Sequence, residues 1–315
     1  MEAPWDLRKI AADLIGEVIA ELAQKANFAL RPDVLSALRR ALGSGLGNRK
    51  PNHGPLARET DKPEGDGAAS DSRSHKTARE ILKAIIANAD MAKKERLAIC
   101  QDTGMAVVFA EIGQQVCITG GLLTQAINRG IYSGYRDGCL RDSIVANPLL
   151  RGASDFGPAL IHTEIVPGDK LKLTVLPKGF GCENKGAVKM FNPTAELSEI
   201  KEFIVDTVRN AGPDACPPFV LGIGIGGTQD YACLLAKKAL LKKITNHESR
   251  TTNHILRLET ELLKEINKLN IGPMGLGGRT TCLGVNIKTC PTHIAGLPVA
   301  VNISCHALRS ASKTI

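Results

Sequence analysis

Apolar residues near the start of the chain recur at steps of three and four. The members of this first series are Leu7, Ile10, Ala11, Leu14, Ile15, Val18, Ile19 and Leu22. The spacing places them on one face of a helix and so predicts an amphipathic helix from Leu7 onward. A second helix is predicted over residues 31–42, because Pro32 suits a first helical turn and Gly43 suits the stop.

The next stretch of the chain has a different character. Residues 43–77 are rich in Gly, Pro, Ser and charge and nearly free of large apolar residues, which predicts a flexible surface loop. Its histidines, His53 and His75, are weak candidates for metal ligands, because a loop without packed surroundings does not hold ligand geometry. We therefore expect N-terminal helices over 1–42, this loop, and one large domain over 78–315, all within a single subunit.

Helical and strand patterns are mixed in the large domain. A helix is predicted over about 78–91, and two more over about 229–242 and 253–269. Short apolar strands are predicted in MAVVFAEI, QVCITG, PALIHTEIV and KLKLTVL, each broken by glycine turns. The regular strand–helix alternation of a Rossmann fold is missing. The expected fold class is therefore α/β, of mixed α+β type, with an N-terminal helical region followed by lobes built on mixed sheets.

Composition narrows the class of protein. The chain has 315 residues, of which 43% are hydrophobic and 23% charged, and no apolar run approaches the ~18 residues of a membrane span. The N-terminus lacks the basic start and continuous apolar stretch of a signal peptide, so a cytoplasmic protein is expected. The net charge of +8 comes from 40 basic residues scattered among 32 acidic ones, with 3% aromatic residues. This argues against nucleic-acid binding and favours an acidic small molecule or partner.

Cysteine usage adds a candidate chemistry. Nine cysteines are an odd number in a chain without a secretory signal, so they are expected to be thiols or metal ligands. They are Cys100, Cys117, Cys139, Cys182, Cys216, Cys233, Cys282, Cys290 and Cys305. No CxxC pair occurs, which excludes zinc ribbons and ferredoxin-type clusters. Any metal site must take its ligands from distant parts of the chain.

Five glycine-rich segments carry functional side chains. They are ICQDTG (99–104), PKGFGCENKG (177–186), ACPP (215–218) with GIGIGGT behind it, IGPMGLGGRTT (271–281) and HIAGLPVAVNISC (293–305). The GIGIGGT run lacks the GK[ST] ending of a phosphate-binding loop, so its glycines are expected to let backbone approach the site closely. In this order the segments resemble the alpha subunit of class I fumarases, iron–sulfur enzymes of the fumarase and tartrate dehydratase family. The resemblance runs from about Leu7 to Ser312, apart from the loop after Gly43.

The resemblance implies a cofactor. In that family three cysteines bind a 4Fe-4S cluster, and the matching positions are Cys100, Cys216 and Cys305. Three thiolates leave the fourth iron open as a Lewis acid for the substrate hydroxyl. Cys182 lies in the substrate loop, where it faces the site without binding iron or packs as a small apolar residue. The remaining cysteines are expected to pack in or near the core.

The resemblance also implies residues that contact the substrate, a small dicarboxylate. Asp102 matches the general acid, although an Asp at this position also suits an Asx turn that stabilises its loop. Gln101 matches a substrate contact, and Arg141 matches the arginine that clamps a carboxylate. The amide of Gly181 is expected to approach the substrate because a side chain would collide. His293 matches a histidine that enters the site from a neighbouring protomer.

The activity implied is the reversible hydration of fumarate to malate, a step of the tricarboxylic acid cycle. Single-chain relatives continue with a further domain after the stretch that matches 304–312, so we expect a separately encoded beta subunit and a dimer of heterodimers. One alternative is a tartrate dehydratase alpha subunit, although that enzyme carries GGGC and IGPQGLTG where this chain has GFGCEN and IGPMGLGG. The other is a non-catalytic iron–sulfur sensor, against which Asp102, Arg141 and His293 argue.

Overall fold

A computed structural model describes residues 7–44, 67–245 and 253–315. Its helices are α1 (Ala12–Phe28), α2 (Pro32–Ser44), α3 (Gly67–Glu95), α4 (Leu123–Asp137), α5 (Phe180–Glu183), α6 (Leu197–Ala211), α7 (Gln229–Ala239) and α8 (His254–Asn267). Its strands are β1 (Arg8–Ala11), β2 (Met105–Gly113), β3 (Val116–Thr119), β4 (Ile144–Asn147), β5 (Arg151–Asp155), β6 (Leu160–Val166), β7 (Leu171–Lys178), β8 (Ala187–Phe191), β9 (Phe219–Gly227), β10 (Cys282–Thr292), β11 (Leu297–Ser304) and β12 (Ala311–Thr314). Helices combined with sheets of mixed strand direction confirm the α/β class.

The predicted elements are largely present, with two differences at the N-terminal side. The first helix starts at Ala12, because the residues before it form β1, which pairs in parallel with β3. The helix predicted from about residue 78 starts at Gly67, so the end of the predicted loop is helical. Residues 45–66 of that loop, including His53, lie outside the described residues, as does the side chain of His75.

The described residues divide into two compact units. The first takes in the chain up to Pro32, then Asn88–Asn184 and Ala307–Ile315, and the second takes in the described residues of Asp33–Ala87 and Lys185–His306. Within the described ranges, no helix is both long enough and apolar enough to cross a lipid bilayer.

The first unit is built on a four-stranded sheet in the order β12-β7-β2-β6. Strand β2 runs parallel to β6 and antiparallel to β7, and the core between this sheet and α1 includes the fully buried Ile15, Val108 and Leu173. Helix α4 packs closely against α1, where a Cβ added at Gly130 would lie 2.4 Å from the carbonyl oxygen of Gly16. Only glycine permits this approach, and the glycines of α4 explain why the sequence did not suggest a helix there.

The second unit is built on a four-stranded sheet in the order β10-β9-β11-β8. Strand β9 runs parallel to β10 and antiparallel to β11. The glycines of β9 lie directly under α7, since an added Cβ would be 2.1 Å from the Ala236 oxygen at Gly222 and 2.0 Å from the Ala232 oxygen at Gly224. The sequence suggests that the glycines of GIGIGGT let backbone approach the cluster or substrate, whereas Gly222 and Gly224 accommodate helix α7 instead.

Replacing Gly224 by alanine tests this packing. The added methyl group would collide with the α7 backbone, so we expect the free energy of unfolding to fall by about 3 kcal/mol. Urea unfolding followed by circular dichroism measures the change. Gly43→Ala is the control, because a Cβ at Gly43 in α2 would meet no atom of the described residues within 4 Å and alanine is the better helix former. Equal stability of Gly224→Ala and wild type would contradict this account of the β9–α7 contact.

Candidate active-site loops

The CQDTG segment of the first unit is a loop that leads from α3 into β2. At its start, the Ile99 amide donates to the Asn27 carbonyl at 3.0 Å and the Ile99 carbonyl accepts from the Asn88 side chain at 2.9 Å. The Cys100 thiol lies 3.4 Å from the side-chain oxygen of Gln101 and is partly exposed. The loop is thus anchored to α1 and α3 immediately before the predicted iron ligand.

Asp102 joins two of the sequence motifs through its carboxylate. Oδ1 accepts the amide N–H of Gly104 at 3.0 Å, which is the Asx turn considered from the sequence. Oδ2 accepts the amide N–H of Phe180 at 2.8 Å, and a Cβ added at Gly179 would lie 3.1 Å from this oxygen. Asp102 therefore holds the CQDTG loop against the turn of the KGFGCEN segment, and Gly179 is the glycine whose missing side chain allows the contact.

The KGFGCEN turn is organised around a buried lysine. The side chain of Lys178 is 2% exposed, and its ammonium lies 3.0 Å from Glu183 and 3.3 Å from the sulfur of Cys182. The Cys182 thiol in turn donates to the Gly179 carbonyl at 3.3 Å. Gly181 lies on the exposed side of α5, where an added Cβ would meet no atom within 4 Å. Among the described residues, the glycine at which a side chain would crowd a neighbouring group is therefore Gly179 and not Gly181. The contact of the Gly181 amide with the substrate remains a prediction.

Arg141 lies beside the CQDTG loop. The hydroxyl of Thr103 donates to the Arg141 carbonyl at 3.2 Å and accepts the Arg141 amide N–H at 3.1 Å. These two hydrogen bonds fix the backbone of Arg141, although the residue as a whole is exposed to solvent. The first unit therefore contains five of the predicted site residues, namely Cys100, Gln101, Asp102, Arg141 and Gly181.

Two buried residues that the sequence did not single out support this loop from below. The hydroxyl of Tyr135 lies 3.1 Å from both the Thr103 and Gly104 carbonyl oxygens, and burial raises its pKa from 10.0 to about 12. Arg309, which is 3% exposed, donates to the carbonyl of Asp102 and, at 3.2 Å, to the side chain of Asn27. No local pattern marks either residue, because their partners lie far away in the sequence.

Replacing Tyr135 by phenylalanine is expected to lower the free energy of unfolding by about 2 kcal/mol, because buried carbonyl groups lose a donor.

A second expectation for Tyr135→Phe concerns the dependence of stability on pH. The unfolded hydroxyl loses its proton near pH 10 and the folded one near pH 12. The unfolded state then binds fewer protons, so wild-type stability should fall across this interval, and this part of the fall should be absent from the variant. Urea unfolding from pH 8 to 12 measures both, with Tyr132→Phe, on an exposed tyrosine, as the control. Parallel pH curves for Tyr135→Phe and wild type would contradict the account.

The Cys216 loop of the second unit has an unusual backbone. Cys216 has φ 53° and ψ 64°, a left-handed conformation that costs a non-glycine residue about 1–2 kcal/mol. Three hydrogen bonds hold it there: the Cys216 amide donates to Pro213 at 3.1 Å, the Cys216 carbonyl accepts from His306, and the Pro217 carbonyl accepts from Met274 at 2.8 Å. The Cys216 loop is therefore held by Met274 of the IGPMGLGGRTT segment and by His306, the residue after Cys305.

His293 lies in the exposed turn between β10 and β11 of the same unit. Its Nδ1 accepts the Ala295 amide N–H at 3.1 Å, so a neutral ring carries its proton on Nε2. The structure contains a single chain, and the expected entry of His293 into a neighbouring protomer's site stays a prediction.

The cysteines fall into distinct environments. All nine lie in the described ranges, and none forms a disulfide. Cys282 is fully buried, and burial raises its pKa to about 12, which confirms its expected role as a small core residue. Cys139 and Cys233 are exposed, contrary to the expectation that they pack inside. Cys216 and Cys305 are partly exposed and belong to directly connected loops of the second unit, and Cys100 belongs to the first. No group of three or more potential metal ligands occurs among the residues that the structure describes.

Comparison with known proteins identifies the family. The family model for fumarate hydratase (Fumerase) matches residues 63–314. The putative L(+)-tartrate dehydratase subunit alpha of Methanocaldococcus jannaschii is 36% identical over 96% of this chain and 97% of its own length. The aerobic class I fumarate hydratase of Salmonella typhimurium is 31% identical over 76% of this chain and 43% of its own length. The L(+)-tartrate dehydratase subunit alpha of Escherichia coli O157:H7 is 30% identical over 67% of this chain and 70% of its own length.

These matches place the chain in a class of enzymes, the hydro-lyases. The chain belongs to the fumarate hydratase (Fumerase) family. It spans less than half the length of the class I fumarate hydratases that it matches, whereas its length agrees with that of the relative named as an alpha subunit.

Proposed function

We propose that this chain is the cluster-binding subunit of an iron–sulfur hydro-lyase that hydrates fumarate to malate and catalyses the reverse reaction. The observation that carries the proposal is the hydrogen bond from the Phe180 amide to Asp102, because it joins the CQDTG and KGFGCEN motifs directly. Two segments recognised separately in the sequence thus form one constellation, with Arg141 fixed beside it. Family membership supports the reaction class.

The proposed cofactor is a 4Fe-4S cluster held by Cys100, Cys216 and Cys305. Thiolates are the ligands that iron–sulfur clusters take up in proteins. All three residues are partly exposed, which suits ligands that an incoming cluster must reach, unlike the buried Cys282. The cluster would supply one iron without a protein ligand, a Lewis acid for the hydroxyl group that leaves as water.

The remaining groups are proposed to bind the diacid and move its proton. Arg141 would clamp one carboxylate through a charge-assisted hydrogen bond, while Gln101 and the Gly181 amide would contribute further contacts. Asp102 would handle the proton of the hydroxyl group or water. Its two accepted amide hydrogen bonds fix the carboxylate in place, so the same contacts that hold the loops would also orient the acid. His293 would act in the site of a second copy of the chain.

The proposal that fumarate is the substrate rests on two loops, GFGCEN and IGPMGLGG, whose sequences differ from those of the corresponding loops in tartrate dehydratases. Phe180, in GFGCEN, is 47% exposed beside the open side of Gly181. An apolar ring here would offer no partner to the second hydroxyl group of tartrate, whereas it would tolerate the unsubstituted carbon of malate. A site without that partner discriminates against the extra hydroxyl by desolvation, by up to about a hundredfold.

Tartrate is the second candidate substrate. It is favoured by the relative from Methanocaldococcus jannaschii, which matches nearly the whole chain and is named as a putative tartrate dehydratase subunit. The same name, subunit alpha, supports a separate beta subunit as the partner of this chain. We propose that the two assemble as a dimer of heterodimers in the cytoplasm.

The experiment that tests the proposal is an anaerobic assay of the reconstituted chain with and without a co-expressed beta subunit. Fumarate hydration is followed by the loss of its ultraviolet absorbance, and tartrate dehydration by the appearance of oxaloacetate. We expect the chain to turn over fumarate at least tenfold faster than tartrate, and to do so only when the beta subunit is present. Preference for tartrate would move the substrate assignment, and a cluster-bearing complex without turnover of either diacid would revive the sensor alternative.

A further inference from the structure

His306 contacts the carbonyl oxygen of Cys216 twice. Its main-chain N–H donates to this oxygen at 3.4 Å, and its ring Nδ1 lies 3.0 Å from it. A carbonyl oxygen only accepts, so the ring contact is a hydrogen bond in the tautomer that carries its proton on Nδ1. His306 directly follows Cys305 in the chain, and it therefore links the loops of two proposed iron ligands that are 89 residues apart in the sequence, from 216 to 305.

The Cys216 backbone needs such support. Its left-handed conformation is disfavoured for a residue with a side chain and persists only where neighbouring groups impose it. The Pro213 contact holds the amide of Cys216 and the Met274 contact holds the carbonyl of Pro217, whereas the carbonyl of Cys216 is held by His306. The partly buried ring makes this contact from a residue that lies two positions after the end of strand β11. The link thus connects a strained loop to the sheet of the second unit.

We propose that His306 is a positioning residue that fixes the Cys216 loop beside Cys305 before the cluster binds, an inference that rests on the proposed cluster-binding function. It acts through the backbone of Cys216 and touches neither substrate nor iron. Residues that orient metal ligands through hydrogen bonds typically change metal affinity by about 10–100-fold when they are replaced. His306 is expected to belong to this group.

Two substitutions separate the hydrogen bond from the bulk of the ring. In His306→Asn, the side-chain amide nitrogen is attached to Cγ, as Nδ1 is in histidine, so it can donate to the same carbonyl. In His306→Leu, a side chain of similar bulk carries no donor. His254→Leu is the matched control, because His254 is an exposed residue at the start of α8.

Hydrogen exchange of the chain without a cluster is the first measurement. The segment 212–218 contains three prolines, so its exchanging amides report on few residues, among them Cys216. We expect these amides to exchange about tenfold faster in His306→Leu and at nearly wild-type rates in His306→Asn and His254→Leu. Unchanged exchange in His306→Leu would overturn the proposal, and so would equal acceleration in β9, which would indicate global destabilisation instead of a local role.

Cluster retention is the second measurement. After anaerobic reconstitution, iron content and thiolate-to-iron absorbance are followed during challenge with a chelator. Loss about tenfold faster in His306→Leu, with wild-type behaviour in His306→Asn, is expected. Equal retention in all variants would overturn the positioning role. If the wild-type chain took up no iron, the proposed function would fail, and the hydrogen-exchange comparison would still decide whether His306 fixes the loop.

Discussion

Replacing Cys216 by serine is expected to abolish cluster binding and to lower hydro-lyase turnover at least about a hundredfold. The hydroxyl group of serine is a harder and weaker ligand for iron than a thiolate. Serine differs from cysteine in a single atom, so the hydrogen bonds of the loop to Pro213, His306 and Met274 should remain. The loss would then reflect the missing thiolate and not a changed fold.

Iron content, absorbance after reconstitution and turnover with the partner subunit measure this effect. Cys233→Ser is the matched control, because Cys233 is an exposed cysteine on α7 and should behave like wild type. Thermal unfolding of both chains without a cluster should agree within a few degrees. Full iron content and full activity in Cys216→Ser would remove Cys216 from the set of ligands.

Replacing Asp102 by asparagine is expected to have two separable effects. Turnover should fall about 10²–10⁴-fold, the usual range for loss of a general acid or base. Stability should fall by about 1–3 kcal/mol, because an amide has one oxygen to accept from the Gly104 and Phe180 amides, and its NH₂ group would face the other donor. Turnover is therefore compared under conditions in which the variant remains folded.

A second pair of variants isolates the structural contribution of Asp102. Phe180 is the first residue of α5, where proline is tolerated, so Phe180→Pro removes the N–H that Asp102 accepts and keeps the carboxylate. Phe180→Ala corrects for the lost ring, and Asp13→Asn serves as the control for an exposed aspartate. If Phe180→Pro lost as much turnover as Asp102→Asn, or if Asp102→Asn lost stability alone, then Asp102 would be a loop-holding residue without a part in proton transfer.

The sequence predicted the features that depend on local pattern. The terminal signals of α2, the spacing in α8 and the apolar runs of β2 and β7 produced correct elements. Helix α8 buries one face at helical spacing, whereas β2 and β7 are buried along most of their length. Helix α4 was missed, since its glycines serve a helix contact and resemble turn residues in the sequence. Strand β1 was read as the start of α1, because its apolar residues continue the same spacing.

Local features of the site were also predictable from the sequence, whereas contacts between distant residues were not. The CQDTG and KGFGCEN motifs were found as glycine-rich segments, and the Asx turn of Asp102 follows from a contact two residues away. The supports of the loop could not be predicted, because Tyr135 and Arg309 reach it across 32 and 207 residues. Such contacts are set by tertiary packing, for which a single sequence carries no periodic signal. His306 was passed over for the same reason, although it stands next to a predicted ligand.

The anchoring of the CQDTG loop by Arg309 has a consequence for the order in which the protein matures during synthesis. The ribosome releases the loop and the strands around it long before Arg309 and β12, because the whole stretch Lys185–His306 of the second unit is translated in between. The first unit can complete its sheet and fix the CQDTG loop only after that delay. Bringing Arg309 back to this loop also carries the added entropic cost of closing a long chain segment. A ribosome that stalled before residue 309 would produce a chain that has the CQDTG sequence but lacks the arginine that secures its backbone.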